Sequence, residues 1–465
     1  MNAETKTCQN CKAQFVVEPD DFGFYEKIGV PPPTFCPQCR LIRRIVFRNE
    51  RTLYKRKCDL CGAEKIFMYP PNTPFPVYCK PCWWSDQWDS KSFGRAYDFS
   101  KSFFEQFGEL FLAVPRCGVI QQGNSLNSEY TNRVTDMKNC YLVFATTNAE
   151  NSRYSAFIQN SKECIDCFSA IRSERCIECI DCLNCYNVHY SQESKDCRDS
   201  YFLKNCRNCS NCFGCVNLVN KQYHIFNTPY TKEEYEKHLS ELDLGSVSGV
   251  AATRAQVEQL AAKLPRRSLV SVQTINVSGN WIENCKNLHD SFACQNVEEG
   301  RYCFFMYNEK DAMDHSHWGN HSERMYECVN VGIQCANVRF SNECWNQLID
   351  AEYCMNCHSS QNLFGCVGIR NGRFAVLNKE YKQEEFSALR EKIIKHMKDM
   401  PHADSKGRTY RYGEFFPHEI SPHAYNETIA QEFFPQSKQE ILDRGHRWRD
   451  PDTKQYPIAI SAGEL

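Results

Sequence analysis

The chain has 465 residues, with 55 Lys and Arg against 57 Asp and Glu and a formal net charge of -2. This balance excludes a global cationic field of the kind that attracts nucleic acid or membranes. No apolar run approaches the ~20 residues of a membrane-spanning helix, and the start, MNAETKTCQN, lacks the basic and apolar regions of a signal peptide. We therefore expect a cytoplasmic protein without a membrane partner, whose 30 cysteines serve metal sites and buried thiols.

Four Cys-x-x-Cys pairs occur near the N-terminus. They are Cys8 and Cys11, Cys36 and Cys39, Cys58 and Cys61, and Cys79 and Cys82. A Cys-x-x-Cys loop lets two thiolates reach one ion, and two loops complete a tetrahedral site. The spacing predicts two zinc ribbons in series, holding two structural zinc ions with no ligand place left for substrate. Structural disulfides are the alternative, although nothing else in the chain indicates an oxidising compartment.

A basic segment, RLIRRIVFRNERTLYKRK, directly follows Cys39. Its arginines recur at steps of three and four, which places them near one face of a helix. The candidate nucleic-acid-binding residues are Arg40, Arg43, Arg44, Arg48, Arg51, Lys55, Arg56 and Lys57. A cationic stripe beside zinc ribbons suits a phosphate backbone, so nucleic acid or a ribonucleoprotein is one predicted partner. A solvated helix face and an acidic protein partner stay open as alternatives.

These N-terminal motifs resemble a known family. The motifs Cys8-x-x-Cys11-x-x-x-Phe15, Phe24-Tyr25-Glu26-Lys27 and Phe35-Cys36-Pro37-x-Cys39-Arg40 look like the "probable zinc-ribbon" domain of small bacterial proteins. The whole chain is similar to larger uncharacterised bacterial proteins in which such ribbons precede a cysteine- and asparagine-rich repeat region. That wider likeness is carried by Leu53-Tyr54-Lys55-Arg56-Lys57-Cys58, Tyr78-Cys79-x-x-Cys82-Trp83-Trp84 and Phe364-Gly365-Cys366-Val367. The resemblance implies metal-binding cysteines and this architecture, but it does not indicate an activity.

An aromatic segment follows the second ribbon. Its regularly spaced phenylalanines are Phe99, Phe103, Phe107 and Phe111. A ring at every fourth residue is the spacing of one buried helical face, in a helix that ends near Pro115. Aromatic rings can also stack on bases, but core packing fits this spacing better. We expect the helix to cover one end of the next domain.

The region from about 130 to 395 contains an internal duplication. Residues 205–235 match residues 356–386 at a constant offset of 151 without a gap. Each copy ends in a helix-like run, and AATRAQVEQLAAKL between the copies predicts a further helix. We refer to the two matching regions as copy 1 and copy 2.

Cysteines and short β-favouring segments recur within each copy. Of the 21 cysteines from 140 to 366, 14 follow Asn, Asp or Glu, and several recur at steps of nine. Short strands, small apolar residues at fixed intervals and polar turn residues are typical of a β-solenoid. We expect cysteine to fill a narrow interior and asparagine to stack at the corners. One continuous solenoid and two separate solenoids both stay open.

The predicted fold class is mainly β. Two four-cysteine zinc ribbons precede a duplicated parallel β-helix with short helices and an extended C-terminal tail. The predicted domains are the first ribbon with its basic helix at 1–56, the second ribbon at 57–92, the aromatic joint or capping helix at 93–129, solenoid copy 1 at 130–240, a helical linker at 241–275, solenoid copy 2 at 276–398 and the tail at 399–465. The tail repeats Glu-Phe-Phe-Pro at 414–417 and 432–435, and we expect its phenylalanines to lie in surface grooves of the solenoid.

Several further groups could carry chemistry. The runs Cys176-x-x-Cys179-x-x-Cys182-x-x-Cys185 and Cys206-x-x-Cys209-x-x-Cys212-x-x-Cys215 differ from the bacterial ferredoxin run in their last spacing and lack its proline. Buried thiols, a metal cluster and disulfides are the alternatives, with buried thiols favoured. The histidines His315, His317 and His321 form the densest histidine group, and His315 and His317 would share one side of a strand.

No catalytic pair emerges from the carboxylates. The candidates on the second copy are Asp290, Glu298, Glu299, Asp311 and Asp350. No spacing selects a general acid and base among them. The sequence therefore predicts a zinc-binding scaffold or interaction protein. An enzyme with a site on the solenoid face, and a metal-storage or redox protein that uses the inner cysteines, are the two alternative functions.

Overall fold

The computed structural model describes residues 2–317, 319–330, 332–343 and 345–450, and at 345 and 346 it describes only the backbone. Residues 451–465 of the predicted tail lie outside the described residues. The chain divides into a larger unit, residues 2–64, 69–118 and 269–450, and a smaller unit, residues 65–68 and 119–268. Within the described part of the chain, no helix combines the length and the apolar character needed to cross a membrane.

The N-terminal part of the larger unit is built from short elements. Its strands are β1 (Glu4–Thr7), β2 (Gln14–Val17), β3 (Tyr54–Lys57), β4 (Glu64–Phe67, which extends into the smaller unit), β5 (Val77–Tyr78) and β6 (Arg116–Cys117). Its helices are α1 (Pro19–Ile28), α2 (Pro37–Ile45), α3 (Lys80–Trp84) and α4 (Phe103–Ala113), with a 3-10 helix at Ser90–Phe93. Strands β1 and β2 pair antiparallel, whereas β5 and β6 pair parallel.

The smaller unit contains solenoid 1, which runs from β7 to β16. The strands of this unit are β7 (Gln121–Leu126), β8 (Thr131–Lys138), β9 (Val143–Glu150), β10 (Gln159–Lys162), β11 (Phe168–Ile171), β12 (Ile180–Leu183), β13 (Tyr186–His189), β14 (Arg198–Tyr201), β15 (Ser210–Phe213), β16 (Gln222–Ile225) and β17 (Thr228–Pro229). Two helices follow, α5 (Lys232–Ser240) and α6 (Val247–Ala262).

The rest of the larger unit contains solenoid 2, which runs from β18 to β28. The strands are β18 (Ser271–Val272), β19 (Ile275–Glu283), β20 (Lys286–Arg301), β21 (Phe304–Met313), β22 (Gly319–Asn320), β23 (Ser322–Tyr326), β24 (Gly332–Ile333), β25 (Ala336–Arg339), β26 (Trp345–Glu352), β27 (His358–Phe364), β28 (Arg373–Val376), β29 (Lys379–Glu380), β30 (His402–Ala403) and β31 (Thr409–Tyr410). The helices are α7 (Gln383–Asp399), α8 (Ile429–Phe433) and α9 (Lys438–Asp443), with 3-10 helices at His418–Ile420 and Tyr425–Glu427.

Parallel pairing between successive coils sets the geometry of solenoid 1. Thr131 pairs with Val143, so one coil takes twelve residues. Every third side chain points inward and is buried, as at Cys176, Cys179 and Cys182. The residue before each inward position has a positive φ and forms a corner. Each coil therefore has four sides of three residues, and the mainly β, duplicated solenoid predicted from the sequence is confirmed.

Small side chains fill the interior of solenoid 1. Eleven inward cysteines lie between 164 and 215, at 164, 167, 176, 179, 182, 185, 197, 206, 209, 212 and 215. Each thiol also has hydrogen-bond acceptors within reach. The Cys167 Sγ, for example, lies 3.4 Å from the carbonyl oxygens of both Ile165 and Cys176, and either can accept its single proton. The predicted role of cysteine as an interior filler is confirmed, and the steps of nine correspond to three sides of a coil.

The corners explain the asparagine content. A positive φ near +50° is costly for most side chains and is best tolerated by glycine, asparagine and aspartate. Asparagines at equivalent corners stack through their amides. In solenoid 2 the Nδ2 of each asparagine donates to the Oδ1 of the next in the series Asn284, Asn296, Asn308 and Asn320, over 2.6 to 2.8 Å. The predicted stacking of asparagine at the corners is confirmed.

The two solenoids end in the same way, as the duplication predicts. In solenoid 1 the side chain of Asn227 bonds both the N–H and the carbonyl of Val216, at 2.9 and 3.0 Å. In solenoid 2 the side chain of Asn378 bonds the same two groups of Val367, both at 2.8 Å. Each asparagine closes the last coil against the hairpin that follows.

Solenoid 2 differs in having three longer coils. Ser316 pairs with Val329, Val329 with Asn342 and Asn342 with Met355, which are steps of thirteen residues. Toward the C-terminus, each longer coil increases the offset between the copies by one. Residues that match at an offset of 151 near the end of the solenoids match at 148 three coils earlier, which is why the sequence match is ungapped only over its last part.

The aromatic helix and the tail occupy places that the sequence did not predict. Helix α4 was expected to cover one end of the next domain, but it packs on copy 2. The Phe103 ring lies 5.3 Å from that of Phe364 and 5.0 Å from that of Tyr353. The first tail motif was expected in a surface groove, but Phe416 is fully buried with its ring 4.8 Å from that of Phe107. Long-range apolar contacts within the larger unit override the local pattern.

The narrow interior of solenoid 1 gives a testable prediction. Cys182 is stacked between the inward Ala170 and Ser194. Cys182→Ser should be tolerated, whereas Cys182→Leu should destabilise the protein by about 1–3 kcal/mol, because extra carbon atoms in a packed core force strain. The measurement is the free energy of unfolding in urea, with the outward Ile180→Leu as the control. Equal stability of the two Cys182 variants would show that the interior has spare room.

Candidate metal centres and the basic helix

The first cysteine group combines a loop and a helix start. Cys8 and Cys11 lie in the turn between β1 and β2, while Cys36 precedes the first residue of α2 and Cys39 lies in its first turn. All four sulfurs lie within 4.8 Å of one another, and those of Cys11 and Cys36 are 3.7 Å apart. A tetrahedral ion with sulfurs at about 2.3 Å would separate them by roughly 3.8 Å. The group therefore has the donors and the spacing of a four-thiolate site.

The second group repeats the same construction. Cys58 and Cys61 lie in the turn after β3, and Cys79 precedes α3 as Cys36 precedes α2, with Cys82 in its first turn. The sulfurs again lie within 4.8 Å. In both turns the N–H of the fifth residue bonds the carbonyl of the first cysteine, at 3.0 Å in one and 2.9 Å in the other. The two four-cysteine groups predicted from the sequence are therefore confirmed.

In each group the local electrostatics favour one thiolate, whereas hydrogen bonding with Cys36 raises the pKa of Cys39 and burial raises the pKa of Cys79. Hydrogen bonds from the thiols of Cys36 and Cys39 hold the pKa of Cys8 well below its ordinary value. Burial raises the pKa of Cys58, but backbone hydrogen bonds at Cys61, Cys79 and Leu60 outweigh it and lower the pKa to about 7. Thiolates are the form of cysteine that binds metal. Each group therefore contains at least one cysteine whose lowered pKa favours the thiolate.

A side chain from the tail supports the first group. The Asn10 amide donates to the Cys39 sulfur at 3.3 Å, and the Arg408 guanidinium donates to the Asn10 Oδ1 at 2.7 Å. Arg408 is itself held by Asp404. Such outer contacts orient the residues that surround a metal. No sequence pattern predicts this contact, because Arg408 is almost four hundred residues from Asn10.

The basic helix α2 carries buried ion pairs. Arg40 and Arg44 both contact the Asp314 carboxylate, at 2.8 and 3.1 Å. Arg43 contacts Glu327 and Glu414, both at 2.7 Å. All six side chains are almost inaccessible to solvent. These ion pairs therefore hold α2, and with it the first cysteine group, against the corner of solenoid 2 that contains Asp314 and Glu327.

The predicted cationic stripe is therefore not an exposed surface, and this corrects the sequence interpretation. Arg40, Arg43 and Arg44 point into the larger unit, because they form ion pairs there with three carboxylates that are distant in sequence. Four of the other five candidates contact acids: Arg48 contacts Glu50, Arg51 contacts Glu432, Lys55 contacts Glu64 and Arg56 contacts Asp59. Of the eight, Arg51, Lys55 and Lys57 keep exposed side chains.

The histidine group is placed differently from the prediction. His315 points into the interior of solenoid 2, where its Nδ1 lies 3.6 Å from the carboxylate of the inward Glu309. His317 is a buried corner residue beside Phe304, and His321 is exposed. The expectation that His315 and His317 share one side of a strand was wrong, because the sides have three residues rather than the alternation of a flat strand.

The candidate carboxylates of the solenoid face have structural partners. Asp290 accepts from Arg301 at 2.9 Å, Asp311 from Lys27 at 2.6 Å and Asp350 from Asn337 at 2.8 Å. Glu299 accepts from Asn287 at 2.6 Å, and Glu298 lies 3.8 Å from Lys310. These contacts join neighbouring coils or fix α1 to the solenoid.

Comparison with known proteins adds no family to this geometry. No protein-family model and no curated protein matches the chain. The interpretation of both cysteine groups therefore depends on their own arrangement and on the ion pairs beside them.

The shared role of Asp314 gives a prediction. Asp314→Asn should destabilise the protein by about 3–5 kcal/mol, because it leaves two buried guanidinium groups without their carboxylate. The matched control is Asp311→Asn, which removes a partly exposed pair with Lys27 and should cost under about 1 kcal/mol. Urea unfolding of both variants is the measurement. Equal losses would contradict the importance of the buried pairs.

A pH dependence follows from Glu327. Burial raises its pKa from 4.5 to about 7, despite the attraction of Arg43. Between these values the folded protein binds more protons at this group than the unfolded chain, so its contribution to stability falls as the pH rises. Glu327→Gln should flatten the slope of unfolding free energy between pH 4.5 and 7. An unchanged slope in the variant, measured by urea unfolding across this range, would assign the dependence to other groups.

Proposed function

We propose that this protein is a scaffold that binds two structural zinc ions, one in each ribbon, and uses the first ribbon to fix its basic helix on solenoid 2. The observation that carries the proposal is the convergence of four thiols in each group, with the buried arginines starting directly beyond Cys39. Four protein thiolates leave no coordination place for substrate, so zinc would act structurally. Membership of the zinc-ribbon family that the N-terminus resembles is part of this proposal.

Two observations favour the scaffold over the alternatives. An enzyme needs free catalytic groups, and the candidate carboxylates of the solenoid face are engaged in contacts between elements. A metal store needs thiols that converge on ions, whereas the solenoid thiols donate to carbonyl oxygens of neighbouring coils. Among the described residues, groups of three or more ligand atoms close enough for one ion occur in the two ribbons.

The metal content tests the proposal. The full-length protein should contain two zinc ions per chain, measured by elemental analysis. Cys36→Ser should lose one of them, because a three-sulfur site with a weak fourth donor holds zinc poorly. Cys197→Ser, in the interior of solenoid 1, is the control and should keep both. Many more metal ions, or iron with visible absorbance, would support storage or redox chemistry instead, and unchanged zinc in Cys36→Ser would refute the ligand assignment.

Nucleic-acid contact through the ribbons stays a prediction, now limited to Arg51, Lys55 and Lys57. If these residues meet phosphates, binding of RNA or DNA should weaken steeply with salt, since each neutralised phosphate releases condensed counterion. Reversing all three charges to Glu should abolish binding by the full-length protein while leaving its zinc content unchanged. Binding that is absent at low salt, or insensitive to the reversal, would remove nucleic acid as a partner of this surface.

A further inference from the structure

One corner of the two solenoids carries the same chemistry in both copies. At this corner each backbone N–H bonds a carbonyl of the preceding coil, which aligns the copies coil by coil. In solenoid 1 the corner residues are Tyr154, Asp166, Glu178, Tyr190, Phe202, Gly214 and Phe226. In solenoid 2 they are Tyr302, Asp314, Glu327, Phe340, Tyr353, Gly365 and Leu377. Both columns thus read aromatic, Asp, Glu, aromatic, aromatic, Gly, apolar, and we call each one the acidic–aromatic column.

In solenoid 2 this column holds an arginine-bearing helix. Its aspartate and its glutamate are the buried partners of three arginines of α2. Its first aromatic residue, Tyr302, lies under the Arg40 guanidinium at 5.1 Å from the ring centre. The column therefore supplies two carboxylates and an aromatic face at the spacing that one turn of such a helix requires.

In solenoid 1 the equivalent residues remain open. Tyr154 is 51% exposed. Asp166 is exposed, and its carboxylate makes no hydrogen bond or ion pair with any residue in the described part of the chain. Glu178 is 43% exposed and meets one cation, Arg254 of α6, at 2.7 Å. A groove of about 410 Å³ is lined by Asp166, Glu178, Tyr190 and Phe202, together with Arg254, Val257 and Glu258 of α6.

Helix α6 covers only the far end of this column. Its residues Val257 and Ala261 belong to the apolar cluster around Phe202 and Phe213. In solenoid 2 the equivalent residues, Tyr353 and Phe364, are covered instead by α4. Arg254 then reaches back as far as Glu178. In solenoid 2, arginines of α2 pair with Asp314 and lie over the Tyr302 ring. No cationic side chain in the described chain makes the equivalent contacts with Asp166 and Tyr154.

The electrostatics of this open end call for a cation. Partial burial raises the pKa of the Asp166 carboxyl, and the like charge of Glu178 raises it further. Two carboxylates on neighbouring coils repel each other, and a guanidinium between them would relieve that repulsion through charge-assisted hydrogen bonds. An exposed tyrosine ring beside them offers a face on which arginine stacks.

We propose that the acidic–aromatic column of solenoid 1, from Tyr154 to Tyr190, binds a helix of a partner protein that carries arginines three and four residues apart. The arginines would contact Asp166 and Glu178 as Arg40, Arg43 and Arg44 contact Asp314 and Glu327. The helix α2 of this chain is not the occupant, because its arginines are already buried in the larger unit. This inference deepens the proposed scaffold function by giving the chemistry of one partner.

The test uses the full-length protein as purified and a fluorescent probe peptide. The probe is an alanine-based, covalently stapled helix with three arginines at the spacing of Arg40, Arg43 and Arg44. It should bind the wild-type protein in a fluorescence anisotropy titration. Removing both carboxylates with Asp166→Asn and Glu178→Gln should weaken binding by about tenfold or more, since arginines lose their charged partners. The matched control is Glu163→Gln with Glu193→Gln, which removes two charges from other corners and should change nothing.

A second variant distinguishes binding from a structural effect. Arg254→Ala vacates Glu178, so it should strengthen probe binding, whereas general damage to the surface would weaken it. A probe in which lysine replaces arginine should bind less tightly, because lysine lacks the planar fork that pairs with carboxylates. No binding of the arginine probe at low salt, or equal binding to the double carboxylate variant, would overturn the proposal.

Two further readouts separate this inference from others. Light scattering reports self-association, and a dimer that the Asp166 and Glu178 changes dissociate would assign the column to a second copy of this chain, which would also overturn the proposal. Zinc is measured in the same samples. Two zinc ions without probe binding would refute only the column, whereas probe binding by protein without zinc would support the column and refute the metal proposal.

Discussion

The larger unit depends on the neutralisation of buried charge between α2 and solenoid 2. Three guanidinium groups and the carboxylates of Asp314, Glu327 and Glu414 lie out of contact with water. A buried charge without a partner costs several kcal/mol. The arginines of α2 and the carboxylates of the solenoid corner can therefore be buried only together. Helix α2 has only nine residues, too few to persist on its own. Cys36 and Cys39 of the first cysteine group lie at its start, so an ion bound by that group would link metal binding, helix formation and charge neutralisation.

The three-residue side of the solenoid explains why these charges are where they are. A corner residue with positive φ points outward on every coil, so a single corner presents one side chain per coil in a straight column. Aspartate and glutamate can occupy adjacent corners without entering the interior. The inward positions meanwhile hold many cysteines, serines and alanines, and also larger apolar residues such as Leu348 and Met306. Duplication then gives two columns with one chemistry, of which α2 covers the second.

The sequence predicted the repeated parts of this molecule and missed the contacts between distant segments. The Cys-x-x-Cys pairs, the 151-residue offset and the asparagine corners are local or periodic signals, and they led to the correct fold class. The spacing of Arg40, Arg43 and Arg44 is equally clear, but it reports a helix face and not what covers that face. Asp314 and Glu414 lie about 270 and 370 residues away, so their meeting with these arginines follows from tertiary packing. The apolar residues between the arginines, Leu41, Ile42 and Ile45, were the one hint of burial.

If the first cysteine group binds zinc as proposed, the ion should support the charge-neutralising helix α2. Hydrogen exchange of the full-length protein with and without a zinc chelator tests this expectation most directly. Chelation should speed amide exchange in α2 and in the coils around Asp314 and Glu327, while residues 119–268 keep their protection. Faster exchange confined to the cysteine turns, with α2 and those coils unchanged, would contradict it.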